Sequence, residues 1–295
     1  MTRPTAVEAA RKFDDGSWLE LDSYCPSCGH WVAADDPAHR PIQLPQRLWL
    51  YTNYDCNLQC SYCLVSSNPW AERRGIGLGP ARQLLNEARE LGVREVFMTG
   101  GEPFLRPDIY DLIAAATPHF VTTVLSNAMI VRGRRLERLV AVNHPNLRIQ
   151  VSLDDCQPGV HDLYRGAGSW QKALDGIRRL QEAGVRVRIA TTVTPECEPR
   201  VEAIRAFVRD ELGVADVDHI VRPLLKRGFA ETGMEVGKHN LIPELTVDLD
   251  GVYWHPVGTD ADLLVTREIF PLRGAIERLA ELSRTLEPVG AQPFR

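Results

Sequence analysis

Arg47-Leu48-Trp49-Leu50-Tyr51-Thr52-Asn53, followed two residues later by Cys56-Asn57-Leu58-Gln59-Cys60-Ser61-Tyr62-Cys63, joins a short apolar run to three cysteines in C-x3-C-x2-C spacing. The run has the length and composition of a strand, so the cysteines fall on the loop it delivers at its C-terminal end. Three thiols within eight residues are poor geometry for disulfides, and seven cysteines in the chain is an odd number. A zinc knuckle would need a fourth ligand, yet no cysteine or histidine follows within thirty residues. Three thiolates on a 4Fe-4S cluster leave one iron open, and an open coordination position is what substrate chemistry at a metal requires.

Outward from this strand, apolar runs rich in β-branched residues alternate with amphipathic stretches, the pattern of repeated β-α units on a parallel sheet. Strands are expected at 47–53, 93–98, 120–125, 147–153, 185–193 and 219–224, and helices at 79–91, 107–116, 134–141, 169–183 and 200–212. The helix from Ser169 is the best formed: the serine hydroxyl caps its start, Gly184 ends it, and Ala173, Leu174, Ile177 and Leu180 recur at helical spacing. Residues 1–46 stand outside the repeat and contain Cys25-Pro26-Ser27-Cys28-Gly29 and a proline-containing linker at 37–45. Residues 226–295 form a C-terminal extension with a hairpin at Asp250-Gly251 and a last helix at 271–284. The central domain is then 47–225, in the α/β class.

Polar residues gather where these strands end. Thr99-Gly100-Gly101-Glu102-Pro103 follows the second, Ser126-Asn127 ends the third, Ser152-Leu153-Asp154 the fourth and Thr192-Val193-Thr194 the fifth. The C-terminal ends of the strands form the face on which barrel enzymes build their sites. Glycines at 100 and 101 let backbone approach a ligand closely, and Glu102 offers a carboxylate to an ammonium group.

C-x3-C-x-aromatic-C, with Tyr62 at the aromatic position, together with Gly100-Gly101-Glu102-Pro103, resembles the radical SAM superfamily across roughly 47–225. The resemblance implies a partial (β/α)6 barrel in which Cys56, Cys60 and Cys63 hold a 4Fe-4S cluster. It implies S-adenosylmethionine as the second cofactor, chelated on the open iron and cleaved reductively to a 5′-deoxyadenosyl radical that takes hydrogen from substrate. Tyr62, Gly100, Gly101, Glu102, Asn127, Ser152, Asp154, Arg165 and Val193 are the positions it marks for binding that cofactor. Gly100–Glu102 would meet the methionine amino group, Asn127, Ser152 and Arg165 the ribose and carboxylate, and the backbone near Val193 the adenine. A flavodoxin or ferredoxin is implied as electron donor. The stretch from Ser152 to Trp170 also resembles the branch whose members carry a SPASM or twitch extension. Leu245 to Tyr253 is similar to the strand pair that opens such an extension, but His255 stands near where a cysteine is expected and no cysteine follows Cys197. The extension reads as degenerate, without an all-cysteine auxiliary cluster.

Cys25 and Cys28 form half of a metal site, for zinc or a second iron-sulfur cluster, whose other ligands could be Cys156 and Cys197, histidines, or a second copy of the pair. Cys156 and Cys197 are alternatively catalytic thiols that donate hydrogen to a substrate radical, or small buried hydrophobes. A net charge of −5 and the lack of a dense basic cluster argue against nucleic acid as a partner. With no long apolar run to cross a membrane, the chain reads as cytoplasmic. Forty-six N-terminal residues are short for a leader-binding domain, which favours a small-molecule substrate, with a peptide-modifying maturase as the alternative. A non-catalytic iron-sulfur carrier would have no use for the glycine motif, and a zinc interaction module does not fit six β-α units.

Overall fold

The structure, a computed structural model, describes residues 10–11, 18–21, 24–25, 30–31 and 43–285. Cys28 lies outside the described residues and Cys25 is described only as strand backbone, so the expected knuckle is not reached; the same holds for most of the 37–45 linker.

Six strands joined by helices follow in order, beginning with β1 (Arg47–Asn53), α1 (Leu78–Glu90), β2 (Glu95–Gly100), α2 (Ile109–Ala116), β3 (Val121–Ser126), α3 (Arg134–Ala141) and β4 (Leu147–Ser152). Two helices, α4 (Pro158–Arg165) and α5 (Ser169–Glu182), precede β5 (Val187–Val193), and α6 (Val201–Asp210) precedes β6 (His219–Pro223). The chain ends in β7 (Leu245–Val247), β8 (Val252–Tyr253), β9 (Leu264–Thr266) and α7 (Leu272–Thr285). All nine strands join one sheet in the order β6-β5-β4-β3-β2-β1-β7-β8-β9. Strands β1 to β6 run parallel, and β7 adds parallel to β1 before β8 and β9 turn back antiparallel. The barrel stays open, with β6 and β9 as its edges. The first strand of the C-terminal extension continues the barrel's own sheet.

Period-two alternation assigns the faces. Leu48 and Leu50, Val96 and Met98, Ile149 and Val151, and Ile189 lie in one buried cluster with Ala81, Leu84, Leu85 and Ala88 of α1, Leu174 and Ile177 of α5, and Ile204 and Val208 of α6. That face is the layer under the helices, and the alternate residues line the concave side. There Trp49 stacks on Phe97 with centroids 4.1 Å apart. Helix α5 differs from expectation at its start. Gly168 is the N-cap, and the carboxylate of Asp162 accepts from the backbone N–H groups of Gly168 at 2.6 Å and Trp170 at 2.8 Å. Ser169 also donates its hydroxyl to Asp162, because a charged acceptor outcompetes a hydroxyl for the first-turn donors. Gly184 closes the helix at φ +70° as expected.

Candidate active site

The three thiols sit on the loop leaving β1, and the segment leaving β2 holds that loop from beneath. Gly101 donates its N–H to Asn53 O at 2.8 Å, and Glu102 donates to Asp55 O at 2.9 Å. Asn53, buried, donates its amide to Asp55 O, to Asp55 Oδ1 and to Glu102 O. Gly100 lies at φ +136°, and a Cβ on Gly101 would stand 2.1 Å from Asp55 O. The two backbones approach too closely for any side chain, which is the physical content of the glycine pair.

Glu102 is bonded within the protein. It is 0% exposed, with one carboxylate oxygen accepting from Phe104 N and Ser126 Oγ and the other from Asn127 N at 2.9 Å. Burial pushes its pKa up to about 7 against these donors. The carboxylate ties the end of β2 to the end of β3. Asn127, on the far side of that tie, exchanges amide hydrogen bonds with Asn57 and approaches Cys56 Sγ at 3.9 Å.

Cys56, Cys60 and Cys63 are free and half-buried. Leu58 N donates to Cys56 Sγ at 3.4 Å and Ser67 N to Cys63 Sγ at 3.3 Å. Burial pushes the Cys56 thiol up to about 12 and the Cys60 thiol up to about 11, so their ionisation requires a cation that displaces the proton. Among the described residues no three His, Cys, Asp or Glu side chains are grouped to hold a single metal ion. Three soft donors on one loop, two of them with N–H groups aimed at the sulfur, fit the cluster.

Across the mouth, Asp154 organises a buried group. Arg165, the last residue of α4, donates Nε to Asp154 Oδ2 at 2.5 Å, the phenol of Tyr62 donates to the same oxygen, and Thr192 N reaches Oδ1 at 3.1 Å. The Arg165 guanidinium also lies 5.3 Å from the centre of the Tyr62 ring. Burial alone would raise the Asp154 pKa, but the Arg165 charge overrides it and keeps the carboxylate ionised. His161 Nδ1 accepts from Asp154 N at 3.2 Å, so the ring is held neutral, its pKa lowered by burial to about 4. Arg165, expected to meet a cofactor carboxylate, is therefore engaged with Asp154, and Tyr62 is fastened between the cluster loop and β4.

Ser152 and Val193 are half-buried at their strand ends, where the motif reading puts them. Cys197 is 0% exposed and accepts from Thr194 N at 3.0 Å, its thiol committed to its own turn. Half-buried Cys156 accepts from Arg200 at 3.3 Å, and Arg200 also pairs with Asp155 at 2.7 Å. Sequence reasoning missed the partners supplied by the C-terminal extension. Tyr54 donates to Asp248 at 2.5 Å, Tyr51 to Pro256 O at 2.7 Å, and Phe229 N to Cys63 O at 3.0 Å. No local signal marks these, since the contacts span up to 205 residues. A cavity of about 440 Å³ flanks the loop, lined in part by Arg74 and Arg106. Those two arginines are paired with Asp250 and Asp108.

Comparison with known proteins decides the family: the radical SAM superfamily profile matches residues 50–208, over half of the chain. The chain belongs to the radical SAM superfamily. Radical SAM relatives include the AdoMet-dependent heme synthase of Nitratidesulfovibrio vulgaris, 30% identical over 141 residues, 47% of this chain and 38% of that protein. The mycofactocin maturase MftC of Mycobacterium tuberculosis is 33% identical over 160 residues, covering 52% of this chain and 39% of its own. The PqqA peptide cyclase of Granulibacter bethesdensis is 31% identical over 197 residues, 63% of this chain and 51% of its own. The match thus spans about half or less of these relatives' length. Among solved structures, anSMEcpe with bound AdoMet superposes with a TM-score of 0.63 at 13% identity, over 82% of this chain and 84% of that one, a likeness of fold. The open parallel sheet is accordingly the radical SAM architecture. Among the described residues no helix is long and apolar enough to cross a membrane.

Proposed function

We propose that this chain is a peptide-modifying radical SAM enzyme, with the 4Fe-4S cluster on Cys56, Cys60 and Cys63 and S-adenosylmethionine against the C-terminal ends of the strands. The observation that carries the reading is the seating of Gly100 and Gly101 directly on Asn53 to Asp55 at the root of the three-thiol loop. When bound, the two cofactors supply one-electron bond cleavage and hydrogen abstraction. The chain's own residues position them. Glu102 locks the glycine segment to β3, Asn127 braces Asn57 beside Cys56, and the Asp154–Arg165–Tyr62 group fixes the opposite rim. Asn127, Ser152 and the backbone at Val193 are the contacts proposed for ribose, carboxylate and adenine. Flavodoxin or ferredoxin is the proposed electron donor.

A small-molecule substrate, expected from the length of the N-terminal segment, finds less support than the alternative. Matching a peptide cyclase over 63% of this chain and a maturase over 52% favours a peptide. The test is 5′-deoxyadenosine formed by anaerobically reconstituted protein with dithionite, S-adenosylmethionine and the peptide fraction of an extract from its own source cells. A rise that protease treatment of the fraction abolishes supports the peptide reading; a rise that survives protease returns the small molecule. Loss of product in Cys56→Ala/Cys60→Ala/Cys63→Ala is expected in either case. For Cys25 and Cys28 the proposal is a second metal, and the double alanine variant should lose zinc, or iron and sulfide, relative to the parent; equal content would end it.

A further inference from the structure

Arg222, on β6, is used by none of the contacts above. Its parallel register sets it opposite Thr192, the residue whose N–H reaches Asp154. The neighbouring pair Val221 and Thr191 falls on the layer under the helices, where Thr191 is fully buried and bonded to Leu153 O, so alternation turns Arg222 to the concave side. Two residues on, Leu224 packs with Tyr62 and Ala230, which brings β6 against the cluster loop. The side chain is half-buried, and the described residues offer it neither a hydrogen bond nor an ion pair. Five other arginines, Arg74, Arg106, Arg165, Arg200 and Arg227, each hold a carboxylate within 2.7 Å. Asp154 cannot serve Arg222 as well, because Arg165, Tyr62 and Thr192 already fill its oxygens. Burial lowers the Arg222 pKa, while the phenol of Tyr62 opposes that and Arg165 adds to it. Two guanidiniums thus lie near one carboxylate at the mouth, and of the two Arg165 holds it.

We propose that Arg222 receives a carboxylate of the substrate, and so selects an acidic group next to the position that loses hydrogen. A guanidinium left without an anion in a partly dry lumen is costly, and a planar carboxylate satisfies it with two parallel hydrogen bonds. The inference rests on the concave mouth being the substrate site, and it deepens the peptide reading by naming a feature of the peptide: an acidic side chain or its C-terminus.

Saturation-transfer NMR on the anaerobically reconstituted protein tests it, with N-acetylglutamate methylamide for a side chain, N-acetylalanine for a terminus and N-acetylglutamine methylamide as the uncharged control. One or the other carboxylate probe should bind, which tells side chain from terminus, and the glutamine probe should not. Arg222→Ala should weaken the binding about tenfold or more, and Arg222→Lys less, because a point charge keeps attraction but loses the two-pronged fit. Affinity for S-adenosylmethionine, measured by equilibrium dialysis, should stay within about twofold in Arg222→Ala if charge-assisted contacts to the cofactor are absent. Equal binding of the glutamine probe, no binding by either carboxylate probe, unchanged binding in Arg222→Ala, or loss of S-adenosylmethionine affinity instead would each overturn the proposal. Failure of the parent to form 5′-deoxyadenosine would count against the catalytic reading separately, since the NMR arms decide Arg222 without turnover.

Discussion

Gly101 leaves its neighbours no slack: a Cβ there would meet Asp55 O at 2.1 Å, Asp55 C at 2.6 Å and Tyr54 O at 2.8 Å, all backbone atoms that cannot rotate away. Gly101→Ala must therefore push the cysteine loop off its seat. The expected loss is about 1–3 kcal/mol of stability, with iron bound per chain after reconstitution falling well below the parent. Normal iron content would show that the loop adjusts without cost to the site. Cys197 makes the opposite case. Its sulfur is buried and accepts from Thr194 N, so Cys197→Ala should cost about 1–2 kcal/mol in chemical denaturation by leaving that donor unmet. Slower turnover at unchanged stability would restore Cys197 as a hydrogen donor. Both glycines and the cysteines at 56, 60, 63, 156 and 197 were visible in the sequence. What Glu102 does was not, because a carboxylate's role depends on whether a ligand or Ser126 and Asn127 reach it first.

Elements meet at points where one residue decides the distance. Helix α5 presents Gly176 to the loop after β3, and a Cβ there would stand 2.6 Å from Ala128 O. Alanine should favour the helix by about 1 kcal/mol, yet the contact is with backbone. Gly176→Ala is therefore expected to lower the melting temperature, and a rise would show that α5 can slide outward. Ala128 already lies at φ +59°, next to Asn127, so the disturbance lands beside the cluster loop. At the other end of the sheet, Tyr54 joins the cysteine strand to the extension through Asp248 and Thr259. Tyr54→Phe should cost about 1–3 kcal/mol, read by denaturant titration, and equal stability would mean that the extension is held by packing alone. All six expected helices and all six barrel strands were legible, within about two residues at most ends, because period and caps are local signals. Helix α4 was not: it opens on Pro158-Gly159, which reads as a turn, and becomes a helix because His161 and Arg165 must reach Asp154 from one face.

For the whole molecule, burial of histidines sets the response to acid. Desolvation lowers His161 to about 4, His219 to about 4 and His255 to about 3. Each is neutral when folded, so stability is full above the unfolded pKa near 6.5 and falls as pH drops toward the folded values, where the unfolded chain binds protons that the folded one refuses. His161→Asn keeps an acceptor for Asp154 N and removes one such proton. It should flatten the stability curve by about 1.4 kcal/mol per pH unit between about 4.5 and 6, and an unchanged slope would mean that His161 is already charged in the fold. The sequence by itself determined a β-α repeat carrying a three-thiol loop whose motifs resemble the radical SAM superfamily, because strand period, glycine placement and cysteine spacing are written along a few adjacent residues. Only the tertiary structure decided that Asp154 takes Arg165 and Tyr62, that Glu102 turns inward, and that Arg222 is left facing the mouth. Those outcomes depend on which groups, separated by up to 92 residues in the pairs around Asp154, arrive first at the same buried oxygen, and sheet register and helix packing settle that competition.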